Sequence, residues 1–129
     1  MEHAMTLVEG PDGKCVCFDF RPVDPESPSV CFTLLTGRTS PGILRQSRLS
    51  RLPRKNCWLV GESKRSIEEA VDFHNKWDSR LHLVRNNCYT HTDALVEHLT
   101  GQPRILETLQ LGAQKRLVEV FALKERKQA

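Results

Sequence analysis

The chain has 129 residues and a formal charge of +3, with 39% hydrophobic and 27% charged residues. That length bounds it to one domain with a modest core, and no run of residues nears the ~18 apolar positions that a membrane span needs. A charge this mild does not by itself require a nucleic-acid partner, so none is expected. The five cysteines, Cys15, Cys17, Cys31, Cys57 and Cys88, are odd in number and scattered. The chain opens without a charged-then-apolar leader. Together these predict reduced thiols in a cytoplasmic compartment.

Residues 1–13 end in Gly10-Pro11-Asp12-Gly13, a turn signal, and are expected to be flexible. Cys15 and Cys17 alternate with Val16, Phe18 and Phe20, which predicts a strand over 14–20. Their C-x-C spacing differs from the C-x-x-C of a zinc site, so no metal is expected there. Residues 21–29 hold three prolines and read as a flexible loop. Val30-Cys31-Phe32-Thr33-Leu34-Leu35-Thr36 is β-branched and apolar, a central strand ended by Gly37. Shorter strands are predicted over 43–52 and 56–60.

The period then changes. Ser66-Ile67-Glu68-Glu69 matches a capping box and opens a helix over 66–78, with Ile67, Ala70, Val71, His74 and Trp77 on one face. A second helix over 88–100 ends at Gly101, placed as a C′ glycine. A third, over 104–124, uses Leu106, Leu109, Leu117, Val118 and Phe121, a face able to dock a partner, before a solvated tail at 125–129. Strands first and helices afterwards predict a single α+β domain over 1–129, a short, mostly antiparallel sheet packed by about three helices.

Chemistry concentrates at Asn86-Asn87-Cys88-Tyr89-Thr90-His91. With Asn87 as N-cap, Cys88 lies at the positive end of a helix, where a thiolate is stabilised. His91, one turn on, or His82, six residues earlier, is the candidate base, and Asn87 is the residue that would orient them. A Cys-x-x-His pair supplies only two of the four ligands of a structural zinc site, so neither metal nor cofactor is expected. Arg45, Arg48, Arg51 and Arg54 recur about every three residues, a spacing that can meet phosphates. The aromatic interleaving needed for base stacking is missing.

The Asn87-Cys88-Tyr89-Thr90-His91 segment, with Cys57-Trp58-Leu59 and the helix through Ala70, His74 and Trp77 upstream, resembles the permuted papain-like thiol fold of lecithin retinol acyltransferase and NlpC-type proteins. Within it the segment is most similar to the reversion-to-ethylene-sensitivity proteins and their animal transmembrane relatives, with the makorin-2 opposite-strand protein as a further cousin. The resemblance implies a base histidine on a strand before the cysteine helix. The matching strand, Val30–Leu34, holds none. It therefore implies a non-catalytic descendant: an interaction or regulatory protein with a protein partner, and peripheral membrane contact in place of the relatives' transmembrane helices. The alternatives are a cysteine hydrolase or acyltransferase using Cys88, and a basic-loop binder of nucleic acid or phosphate.

Overall fold

A computed structural model describes residues 3–24, 26–51, 53, 57–106 and 118–125. Among the described residues six strands form one sheet: β1 (His3–Glu9), β2 (Cys15–Pro22), β3 (Ser40–Leu49), β4 (Cys57–Ser63), β5 (Arg80–Leu81) and β6 (Val118–Glu125). Their spatial order is β4-β6-β1-β2-β3-β5. The β1–β2, β2–β3 and β3–β5 pairs are antiparallel, and β6 runs parallel to both β1 and β4. The helices are α1 (Pro28–Leu35), α2 (Ile67–Asn75) and α3 (Cys88–Thr100). The α+β class and the mostly antiparallel sheet are as the sequence predicts.

The β1–β2 hairpin closes on the predicted turn. Gly13 adopts φ 82°, where a side chain would be strained, and the Gly10 N–H donates to the Lys14 carbonyl at 2.9 Å. One sheet face packs against α2 and α3 through Val8, Phe18, Ala70, Leu95 and Phe121. Leu7, Cys15, Cys17, Val120 and Ala122, alternating with that set, cluster on the opposite face. Phe20, Leu34 and Leu81 form a third, smaller cluster where α1 and β5 meet the end of β2. Each fully buried Leu or Phe side chain contributes roughly 1.5–3 kcal/mol.

Both helices start at their predicted caps, but at Ser66 only the hydroxyl half of the capping box forms, the Glu69 carboxylate pairing with Arg65 instead. The Ser66 hydroxyl accepts from the Glu69 N–H at 3.2 Å. The Asn87 side chain accepts from Tyr89 and Thr90, and Gly101 ends α3 at φ 77°.

Three expectations are corrected. Residues 3–9, expected to be flexible, form a strand paired on both sides, with Ala4, Thr6, Leu7 and Val8 fully buried. Residues 30–36 are not a central strand. Pro28 sits at the first turn of α1, where its missing N–H costs nothing, and only Leu34 of that helix is buried. The helix over 104–124 gives way to strand β6 at 118–125. Val120, Phe121, Ala122 and Leu123 are buried in a row between two parallel neighbours, and such strands read as continuous apolar runs that mimic a helical face. Phe121 therefore belongs to the core and not to a docking face, while 107–117 and 126–129 lie outside the described residues. Among the described residues no helix is long and apolar enough to cross a membrane.

Candidate functional site

Two consecutive asparagines set the start of α3. The Asn86 carbonyl oxygen Oδ1 accepts from Trp77 Nε1 at 2.8 Å, and its amide donates to the carbonyls of Asp78 and Arg80. That ties the end of α2 to the loop before α3. Asn87 Oδ1 accepts from the N–H groups of Tyr89 at 2.9 Å and Thr90 at 3.0 Å, while its Nδ2 donates to the Leu83 carbonyl. Thr90 Oγ1 accepts from the Asn87 N–H at 2.8 Å. Asn87 is thus wholly engaged as a cap. Because the cap takes the second and third amides of the helix, that of Cys88 itself is the first-turn donor left for an anion.

Beside the half-buried Cys88 stands a histidine from the far end of the sequence. His3, the first residue of β1, hydrogen-bonds through Nε2 to the Asp19 carboxylate on β2. The same ring and the Cys88 side chain line one cavity. Burial lowers the His3 pKa, but the hydrogen bond to Asp19 and the nearness of Asp19 and Cys88 outweigh it, and the pKa is raised to about 9. His3 is therefore an imidazolium at neutral pH. A cavity of about 140 Å³ opens at this point, with Cys88 and His3 in its wall and Phe20, Leu34, Leu81 and Leu83 around them. Gly42 permits that wall: a Cβ there would lie 2.5 Å from the Phe20 ring and 2.8 Å from the Ser79 carbonyl.

The other sequence candidates have different surroundings. His91 turns away from Cys88 into the core, where its Nε2 lies 2.9 Å from His74 Nδ1 and both residues are fully buried. Burial, with the neighbouring His74, pushes the His91 pKa down to about 3. Burial also lowers that of His74, offset in part by the Arg45 backbone and the Asp19 charge. His82 accepts at Nδ1 from the N–H groups of Val84 and Arg85, which leaves Nε2 to donate to the Gly37 carbonyl at 3.1 Å. It fastens the 82–86 turn to the end of α1 and has no nitrogen left for Cys88.

Arg45 and Arg48 fall on β3, where a spacing of three puts them on opposite faces. Arg51 follows the strand as an exposed residue, and Arg54 lies outside the described residues. Among the described residues no continuous basic row is assembled. Burial raises the pKa values of Cys15, Cys57 and Cys17, the last to about 11, so these thiols are poor nucleophiles at neutral pH. Among the described residues no group of three or more metal-ligating side chains comes together.

Sequence reasoning missed His3 and Asp19. The signal was the hairpin: a Gly-Pro-Asp-Gly turn ahead of a strand implies a partner strand before it. Folding 3–9 back on 15–22 brings His3 to the level of Asp19 and Arg21. No protein-family model, curated protein or solved structure matches the chain.

Proposed function

We propose that the chain is a cysteine-dependent hydrolase or acyltransferase in which Cys88 is the nucleophile, His3 the acid and base, and Asp19 the group that orients His3. The observation that carries this reading is one imidazole bonded to Asp19 and lining the same cavity as the Cys88 thiol. The non-enzymatic reading rested on a cysteine helix without a strand-borne histidine, and β1 removes that ground. A strand histidine ahead of a helix-borne cysteine is also what the resemblance to the permuted papain-like fold implies.

The chemistry follows from the placement. The Cys88 thiolate, paired with the His3 imidazolium, attacks an acyl carbonyl. The carbonyl oxygen becomes an oxyanion near the Cys88 amide at the positive helix end. His3 gives its proton to the leaving group, and Asp19 keeps the ring aligned throughout. Water, or another acceptor for a transferase, then attacks the thioester as His3 takes its proton and Cys88 departs as thiolate.

The interaction reading keeps one support of its own: Phe32 and Leu35 on α1, and Val84 beside the cavity-lining Leu83, are 70%, 76% and 74% exposed. An apolar rim of this kind suits a protein partner or a membrane surface brought to the cysteine.

The test is acylation. Incubated with para-nitrophenyl acetate, the protein should show an acetyl group on Cys88 by peptide mass spectrometry. His3→Ala should slow that acylation by about 10²–10⁴-fold. An unacylated Cys88, or an acylation rate that His3→Ala leaves unchanged, overturns the reading.

A further inference from the structure

The cavity beside Cys88 holds a cation that the acyl chemistry above leaves unused. Arg21, two residues after Asp19 on β2, lines it. Its Nε is buried and has no hydrogen-bond partner, and no ion pair engages its guanidinium among the described residues. Asp19, the nearest carboxylate along the strand, is taken by His3. Buried donors are almost always satisfied, and an arginine fork matches an oxyanion better than it matches water. The surrounding wall is apolar, through Phe20, Leu34, Leu81 and Leu83. Its volume of about 140 Å³ is close to that of a cavity of about 150 Å³ able to hold benzene, room for an acyl chain of about four to six carbons.

Resting on the cysteine reading, we infer that the substrate is an ester or thioester of a short apolar acid whose leaving group carries one oxyanion, carboxylate or phosphate, held by Arg21. The acyl chain occupies the apolar wall and the oxyanion meets the guanidinium. The Cys88 sulfur forms a bond to the acyl carbon, and the bond from that carbon to the leaving oxygen or sulfur breaks. The departing group takes its electron pair and a proton from His3. Water then adds to the thioester, giving one proton to His3, and releases the free acid and the thiolate. The net reaction consumes one water and needs no oxidant or reductant.

The full chain is assayed with three butanoyl esters: meta-butanoyloxybenzoate, meta-butanoyloxyphenyl phosphate, and the uncharged methyl ester of the first. The kcat/KM of phenol release should favour the charged esters by about 10- to 100-fold, with the larger preference naming the oxyanion. In Arg21→Met the ratio of charged to uncharged should collapse towards one, and Arg21→Lys should keep part of it. Should Arg21→Met fail to fold, the wild-type protein still decides: benzoate or inorganic phosphate should slow iodoacetamide labelling of Cys88 saturably. Equal kcat/KM for charged and uncharged esters, with Cys88 acylated by all three, overturns the role of Arg21 alone. No acyl-Cys88 with any ester overturns the cysteine reading and this inference with it.

Discussion

Two histidine clusters lie close together in this fold, and they are opposites. At the end of the sheet His3 is bonded to a carboxylate and faces a thiol, so its charged form is favoured and its pKa rises to about 9. In the core His74 and His91 bond to each other and pack against the rings of Phe18, Phe20 and Trp77. Their charged forms are disfavoured, and His91 falls to about 3. Among the described residues their outer nitrogens, His74 Nε2 and His91 Nδ1, are unpartnered. One residue type thus serves as a candidate proton carrier in one place and as a neutral filler in the other. The difference is set by the neighbours and not by distance along the chain: the histidine three residues from Cys88 faces away from it, and the one 85 positions earlier meets it.

The largest effect should come from breaking the first cluster. His3→Ala removes the imidazole that shares the cavity with Cys88, and acylation should slow by about 10²–10⁴-fold. His91→Leu should leave the acylation rate within about threefold of wild type, since surrounding packing is retained and no proton path is lost. Single-turnover release of nitrophenol measures both. If His91→Leu were the more damaging for acylation, the assignment of the two clusters would be reversed.

Stability against pH is the next contrast. His91, and His74 with it, has a folded pKa below its unfolded value of about 6.5. The unfolded chain therefore binds protons first as pH falls. Stability from this pair is full above pH 6.5 and is lost towards pH 3, by about 3 kcal/mol at pH 4.5 for His91 alone. His3 works in the other direction: its folded pKa is raised, so its contribution is full below pH 6.5 and is lost as pH rises through 9. The groups facing the core pair from other elements are Asp19 on β2, His3 on β1 and the Arg45 backbone on β3. Urea unfolding at a series of pH values should show the acid loss in the wild type. In His74→Leu/His91→Leu, where both polar partners are replaced together, it should be largely removed.

How far the sequence could reveal this follows from the same contrast. Local signals were legible. The Asn87 cap, the Ser66 hydroxyl and Gly101 placed α2 and α3, because capping is decided within four residues of chain. The nucleophile was legible for that reason. Its base was not, because the β1–β2 hairpin brings His3 to Cys88 and a pairing register has no local signature. β6 was misread because a strand buried between parallel neighbours has no alternation to show, and Leu117, Val118 and Phe121 fitted a helical face equally well. α1 was misread because the β-branched content of 30–36 weighs less than a proline at the first helical turn. Arg45 and Arg48 looked like a row only while the period of three was taken without the strand that carries it.

A smaller effect tests whether the clusters are coupled. Phe20 touches both: its ring lies 5.9 Å from that of His91 and forms part of the cavity wall by Cys88. Gly42→Ala would push a methyl group into that ring and against the Ser79 carbonyl. The expected cost is about 1–3 kcal/mol, with acylation slowed and the acid transition shifted upward together. A shift in only one of them, read by the same two assays, would show that the clusters are independent despite their shared neighbour.

The smallest effect separates position from charge at the helix start. Asn87→Ala removes the acceptor for the Tyr89 and Thr90 amides and the bond to Leu83, and should cost about 1 kcal/mol. Asn87→Asp keeps an acceptor oxygen at the positive end of α3 and should cost less. It also places a negative charge next to Cys88, which opposes formation of the thiolate. Thermal melts should therefore rank Asn87→Ala as the less stable variant. Iodoacetamide labelling at neutral pH should rank Asn87→Asp as the slower, since its helix start is intact and only its field has changed. If labelling instead followed the melts, the cap would act on Cys88 through position alone, and the electrostatic contrast between the two clusters would not extend to the sulfur.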